Sequence, residues 1–428
     1  MDEKSLKKNI KKSFFSGNAK TIISMICTAL FLPLIIKKIG IENYGILALS
    51  SVFIGMFGSF ELGIAKTVTI LLSASDNNSK HGIIFTNALS IIIVILSIIG
   101  LIFILISNIQ SLFGDQHLLN EGLKTQILFI SYFSIVLALL NNLLIASLQG
   151  YLLNHYADFG QIIFQLSYYL LLFIAAFNFD SIFYIILTPL IAYFIQCSFL
   201  GTILLWKTNL KLNRINFSEM KEMISLSFGF FCINATSMFA QPINKYLLFY
   251  FTGNTALLGM LDLALKLGQM CLSLLNASTQ PLLAIFSNLS KKQSRVIKKI
   301  SFQVSILIAF QYTIGMITFY FIGYRIVNYL LPGNADVLYN IALIFIGCIA
   351  SSAIVEPFFK YFLSNKMLKL AFIGKLIFPL SNFIILYFIF NQYDMIYSIT
   401  ISYSAGILFS NIAIFLIYFS KSKELQWN

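Results

Sequence analysis

The chain has 428 residues, 58% of them hydrophobic and 11% charged, with a mean hydropathy of +0.86 and a formal net charge of +13. Apolar usage on this scale excludes an ordinary soluble globular domain and predicts an all-α polytopic membrane protein. The positive charge does not require nucleic acid, because no sizeable hydrophilic segment exists to carry a basic surface.

In chain order, apolar stretches near 14–36, 44–74, 82–108, 124–149, 159–178 and 181–206 read as six spans. Six more follow near 224–251, 256–287, 297–322, 336–363, 367–390 and 394–419. Each is long enough, at 1.5 Å per residue, to cross a hydrocarbon core of about 30 Å. With the N-terminus inside, 19 of the 29 Lys and Arg fall on cytoplasmic segments and only Lys37, Lys38, Lys124 and Arg325 fall outside. That asymmetry predicts twelve spans with both termini cytoplasmic, as in a bacterial inner-membrane protein. Anionic lipid on the cytoplasmic side explains most of the net charge. The Lys-rich start is followed by a long apolar run without a small-residue cleavage pattern, so a retained first span is expected.

The hydrophilic segment 207–223, WKTNLKLNRINFSEMKE, divides the spans into two sets of six, giving bundles over 1–206 and 224–428. A shift of 214 residues lays Ser13-Phe14 on Ser227-Phe228 and Gly45 on Gly259. In each half a tight outer turn, IGIEN or FTGN, joins the first two spans. Two six-helix repeats with a site between them is a recurrent transporter plan. No outer connection exceeds about 16 residues, which leaves no room for the large outer loop that a glycan polymerase or ligase needs.

Sequence motifs for catalysis are missing. There is no GxxxxGK[ST] phosphate loop, and His81, His117 and His155 are far apart in sequence, so neither a hydrolytic triad nor a metal site is indicated. The five cysteines all fall inside spans without ligand spacing and read as small apolar core residues. No catalytic residue, cofactor or metal is expected.

The informative residues are the charges. Lys20, Glu61, Lys66, Lys245, Asp262, Lys266, Glu356, Lys360 and Lys375 lie within or at the edges of the spans. A charge facing lipid costs roughly 2.5–3.5 kcal/mol even on insertion scales, so these residues predict a hydrated interior through which something polar passes. Counting from Ala256, Lys266 lies about 15 Å into its span, with Asp262 on the same face in the favourable acid-first order. Lys245 follows Gln241-Pro242, where the helix is expected to kink or open. Lys20 and Lys360 are close enough to the inner edge to snorkel. Six lysines against three acids leave a local excess of positive charge, which favours an anionic head group over an organic cation. Lys66, Lys245, Lys266 and Lys375 are the candidate substrate-binding residues; Glu61, Asp262 and Glu356 are candidates for ion coupling or structural pairing. Tyr44, Tyr246, Tyr250 and Tyr312 are candidates for stacking against sugars, and the Ser-Tyr-Tyr run at 167–169 for an interfacial belt.

The run GIENYG at 40–45, followed by FELGIAKTV at 60–68, resembles the polysaccharide flippases, the Wzx-type O-antigen transporters of the multidrug/oligosaccharidyl-lipid/polysaccharide exporter superfamily. Members of that family show a G-x-x-x-Y-G turn after span one and a [DE]-L-G-[IL] motif closing span two. Glu61 stands where Asp is commoner. The motif covers some 35 residues, while the length, span count and short loops agree along the whole chain. The resemblance implies a V-shaped pair of bundles alternating between inward and outward openings, with an undecaprenyl-diphosphate-linked oligosaccharide as cargo. Further implied partners are H+ or Na+ as coupling ion, membrane lipids and the polysaccharide polymerase machinery, but not nucleic acid. Two other readings remain at this point: a multidrug or cation antiporter of the same fold, and a membrane glycan polymerase or ligase.

Overall fold

A computed structural model describes residues 3–58, 63–73, 78–107, 121–151, 153–179, 181–208, 210, 212–238, 240–277, 279, 282, 286, 294–364 and 367–424. The regular structure of the described residues is all helical, with no strand among them. The helices are α1 (Glu3–Gly58), α2 (Ile64–Ser73), α3 (Asn78–Ser107), α4 (Glu121–Gly150), α5 (Asn154–Asn178), α6 (Ile182–Lys207) and α7 (Phe217–Met238). They continue as α8 (Ala240–Thr252), α9 (Thr255–Ala277), α10 (Ser294–Leu330), α11 (Ala335–Ser364), α12 (Leu368–Ile389) and α13 (Met395–Glu424).

Ten helices among the described residues are long and apolar enough to cross a membrane, against twelve predicted spans, and the difference has two sources. The helix α1 covers the first predicted span and the start of the second, with Gly40 non-helical at φ 81 and ψ 161 between them. The seventh predicted span is divided between α7 and α8. Pro242 sits in the first turn of α8, where a missing N–H costs nothing, so the expected opening at Gln241-Pro242 is a helix start. The second predicted span is likewise divided, between the end of α1 and α2.

Both outer turns expected from the repeat pattern carry a glycine of positive φ, Gly40 in IGIEN and Gly253 in FTGN. In the second turn the Gly253 N–H bonds to the Phe249 carbonyl at 2.7 Å, closing α8. Asn254 Oδ1 then caps α9 by accepting from the N–H groups of Ala256 and Leu257 at 2.9 and 3.1 Å. Reversal within so few residues needs a left-handed residue to stop one helix and a capping side chain to start the next.

Contacts group residues 1–234 into one compact unit and 235–428 into another. The division thus falls within α7, beyond the hydrophilic segment 207–223 that the sequence pattern marks. The reason is that this segment and the start of α7 are strapped to the N-terminal unit. Asn87 accepts from the Asn216 N–H at 3.0 Å and donates to its carbonyl at 3.1 Å, and Thr86 accepts from the Asn213 N–H at 3.1 Å. Ser227 Oγ of α7 donates to Thr67 Oγ1 of α2 at 2.9 Å.

Gly63, the glycine of the FELGIAKTV run, has φ +72, and a Cβ there would lie 2.7 Å from the Ser227 carbonyl oxygen and 2.9 Å from Phe230 Cβ. It therefore meets two demands at once, a left-handed backbone and a close approach to α7. Around it, α2 packs on α4, where Thr69 Oγ1 donates to the Ala146 carbonyl at 3.0 Å.

The core of the N-terminal unit includes Tyr44, Leu49, Ile64, Leu72, Ile135 and Leu139, all nearly inaccessible. In the C-terminal unit α9 packs on α11, and α12 on α13. The helix α10 is 37 residues long and presents Phe302, Ile306, Phe310, Ile317 and Phe321 outward, as expected of a lipid-facing span.

Gly63→Ala is expected to lower the thermal stability of the purified protein by more than the roughly 1–2 kcal/mol of a left-handed alanine alone, because the clash with Ser227 adds to it. Gly201→Ala, where nothing lies within 4 Å of the added Cβ, should leave stability nearly unchanged. Equal melting temperatures for the two variants in detergent would contradict this account.

Candidate functional site

The predicted charges of the C-terminal unit come together in two clusters. In the first, α8 supplies Lys245 and α9 supplies Asp262 and Lys266. Asp262 and Lys245 are 2% and 6% exposed. Asp262 Oδ1 accepts from the Lys245 ammonium, and Oδ2 is 2.9 Å from Lys266 Nζ. The spacing of four residues on α9 places Lys266 one turn after the acid, while Lys245 reaches it from the neighbouring helix. Lys266 keeps about a third of its side chain exposed. Beside this triad Gln269 Nε2 donates to Gln241 Oε1 at 2.8 Å, so one seam between α8 and α9 is polar along two turns.

In the second cluster, Glu356 on α11 lies 3.9 Å from Lys360 one turn later. The Lys360 ammonium donates to the Thr279 carbonyl at 2.8 Å and to its hydroxyl at 3.0 Å. Lys375 on α12 lines the same cavity as Glu356, and its ammonium stands 4.9 Å from the centre of the Phe359 ring. That cavity, of about 190 Å³, is lined entirely by residues of the C-terminal unit, from α9, α11, α12 and α13.

The remaining predicted residues are placed differently. Lys66 is exposed near the start of α2 in the N-terminal unit. Glu61 lies outside the described residues. Lys20 and Lys360 do not simply snorkel. Lys20 pairs with Asp158 at 3.4 Å, and Ser16 Oγ donates to the same carboxylate at 2.6 Å, while Lys360 holds Thr279 and Glu356 as described. All four tyrosines proposed for stacking are already engaged within the protein. Tyr44 is 1% exposed, the Tyr312 hydroxyl donates to the Gly347 carbonyl at 2.8 Å, and Tyr246 stacks on Tyr250 at 6.0 Å. Tyr169 of the Ser-Tyr-Tyr run is also buried, with its hydroxyl 2.8 Å from Thr28 Oγ1. It belongs to the core rather than to an interfacial belt.

Asp158, Gln269, Asn276, Ser352 and Asn411 escaped the sequence reading. Asp158 precedes an apolar run and looks like part of a connection. The amides and serine leave no periodic or charge signal inside spans that are otherwise apolar. Among the described residues no group of three His, Cys, Asp or Glu side chains is arranged to hold a metal ion.

The helical arrangement of the described residues has counterparts among solved structures. Its fold is similar to that of the lipid II flippase MurJ in an inward closed conformation, with a TM-score of 0.72, 14% identity, and coverage of 95% of this chain and 86% of that one. It is also similar to an inward-facing multidrug resistance MATE family transporter of the MOP superfamily, with a TM-score of 0.62, 15% identity, and coverage of 100% and 96%. The eukaryotic MATE transporter AtDTX14 gives a TM-score of 0.64, 14% identity, and coverage of 98% of each chain. None of the curated protein sequences matches this chain. The family model described as polysaccharide biosynthesis protein matches residues 10–290, and the chain belongs to that family.

Asp262→Ala is expected to destabilise the protein by about 3–5 kcal/mol, because it leaves the buried Lys245 ammonium without its counter-charge. The double variant Asp262→Leu with Lys245→Met should recover most of that loss. Thermal unfolding of the single and double variants in nanodiscs measures both; additive losses would show that the pair is not coupled.

Proposed function

We propose that this protein is a flippase that moves a polyprenyl-diphosphate-linked oligosaccharide, an O-antigen or similar repeat unit, from the cytoplasmic to the outer leaflet of a bacterial inner membrane. The observation that carries the reading is the charge balance of the C-terminal unit. Two of its acids, Asp262 and Glu356, are each set against two lysines, Lys245 with Lys266 and Lys360 with Lys375. Each cluster is therefore net positive among apolar helices, which suits a diphosphate and repels an organic cation. Membership of the polysaccharide biosynthesis family supports the same cargo.

Within this reading Lys266 is the phosphate-facing residue of the C-terminal unit, and Lys375 faces the remainder of the head group. Lys245 is the counter-charge that holds Asp262 in place, and the exposed Lys66 is the corresponding residue of the N-terminal unit. Transport runs by alternating access, driven by an H+ or Na+ gradient. Both Asp262 oxygens are taken by lysine ammonium groups, which makes it a poor site for a further cation and leaves Glu356, with Glu61, as the coupling candidates. Both termini are cytoplasmic in this scheme, and the polysaccharide polymerase machinery receives the flipped unit. A second reading, a multidrug antiporter, has the fold likeness to the MATE transporters in its favour.

The test uses proteoliposomes holding the purified protein and a fluorescent polyprenyl-diphosphate disaccharide, with the outer label quenched by a membrane-impermeant reductant. Labelled lipid is expected to cross between leaflets, and Lys266→Ala and Lys375→Ala should each slow it at least about tenfold, the loss of one charge-assisted contact. Expulsion of a cationic dye without movement of the labelled lipid would establish the antiporter reading instead.

A further inference from the structure

We propose that the cavity inside the C-terminal unit is a subsite for one sugar ring of the cargo. The inference rests on the flippase reading for the source of the sugar, but its chemistry stands on the walls of the cavity. Its volume of about 190 Å³ is small, below the roughly 300–1,000 Å³ of pockets for drug-sized ligands and on the scale of a single ring.

The polar lining mixes donors with acceptors and charges of both signs. Gln269 and Asn276 come from α9, Ser352 and Glu356 from α11, Lys375 from α12 and Asn411 from α13. A bare cation in this space would meet the Lys375 ammonium, and a bare phosphate would meet the Glu356 carboxylate. A purely apolar ligand would leave both charges unsatisfied. Sugar hydroxyls donate and accept, and so satisfy both signs without adding charge.

Several individual atoms are already committed in ways that define what is missing. Asn276 Oδ1 is buried with no hydrogen-bond partner, an acceptor lacking a donor. Ser410, which also lines the cavity, spends its hydroxyl proton on the Gly374 carbonyl at 2.8 Å, leaving its oxygen as an acceptor. Asn411, 8% exposed, is held by bonds from its Nδ2 to Ser351 and Ser352 at 3.2 and 3.3 Å. Glu356 and the amides thus bring acceptors, and Lys375 a donor, to the walls of one volume. On another wall Phe378 and Tyr403 meet edge to face at 5.1 Å and offer an apolar surface for the C–H face of a ring.

Saturation-transfer NMR on the full-length protein in nanodiscs tests this, with N-acetylglucosamine, galactose and glucuronate as free probes. At least one should give a saturable signal that a lipid-linked disaccharide displaces. Asn276→Leu should weaken that binding at least tenfold while leaving the melting temperature unchanged or raised, since it removes a buried acceptor that has no partner. No saturable signal from any of the sugars, a signal undiminished in Asn276→Leu, or one that lipid-linked sugar fails to displace would each overturn the assignment. If the proteoliposomes flip labelled lipid and yet no sugar binds, the subsite falls and the flippase stands. Sugar binding without flipping would retain the pocket chemistry and overturn its assignment to a transported cargo.

Discussion

Charge among apolar helices is tolerated only in company, and this constraint shapes the C-terminal unit. Asp262 cannot sit at 2% exposure without partners, and the helices that bring Lys245 and Lys266 to its two oxygens are fixed by that need. A salt bridge of one acid and one base would neutralise itself and offer nothing to a ligand. Two bases around one acid keep the buried charge satisfied and leave a positive remainder. The cluster of Glu356, Lys360 and Lys375 repeats the arrangement on a different pair of helices, with a cavity beside it.

The backbone obeys a second constraint, that helices crossing a membrane may break only where the freed groups find partners. The first tight turn of each repeat has a glycine of positive φ, and in the second of them Asn254 supplies the cap that starts the next helix. Gly63 is a different case, because its space is as restricted as its backbone. The α2 helix lies so close to α7 that a methyl group would displace the Ser227 carbonyl. The motif glycine near the end of the second span therefore has a packing reason beside any functional one, and it ties the broken span to the helix that follows the hydrophilic segment.

The fold alone does not select a cargo. A lipid II flippase and a multidrug resistance transporter share it at identities near those expected of unrelated sequences. Selection has to come from the side chains that project among the helices. In the C-terminal unit two lysines stand near each of Asp262 and Glu356, and amides line the cavity.

The sequence by itself determined the class of the protein, its helical spans and the residues on which attention should rest. Apolar length and charge asymmetry are local quantities, and a lysine in an apolar run is conspicuous whatever surrounds it. It also marked the two tight turns at Gly40 and Gly253, because glycine and asparagine at a helix reversal act over a few residues. Only the tertiary structure decided what each charge does. Lys245 and Asp262 are 17 residues apart and pair across two helices, and Lys20 finds its partner 138 residues away in Asp158. The amides and serines of the cavity carry no signal in one dimension, since a single polar residue in a long helix looks the same whether it faces a neighbour, a cavity or lipid. Their meaning arises from convergence of four helices on one volume, which is a property of packing and not of any segment taken alone.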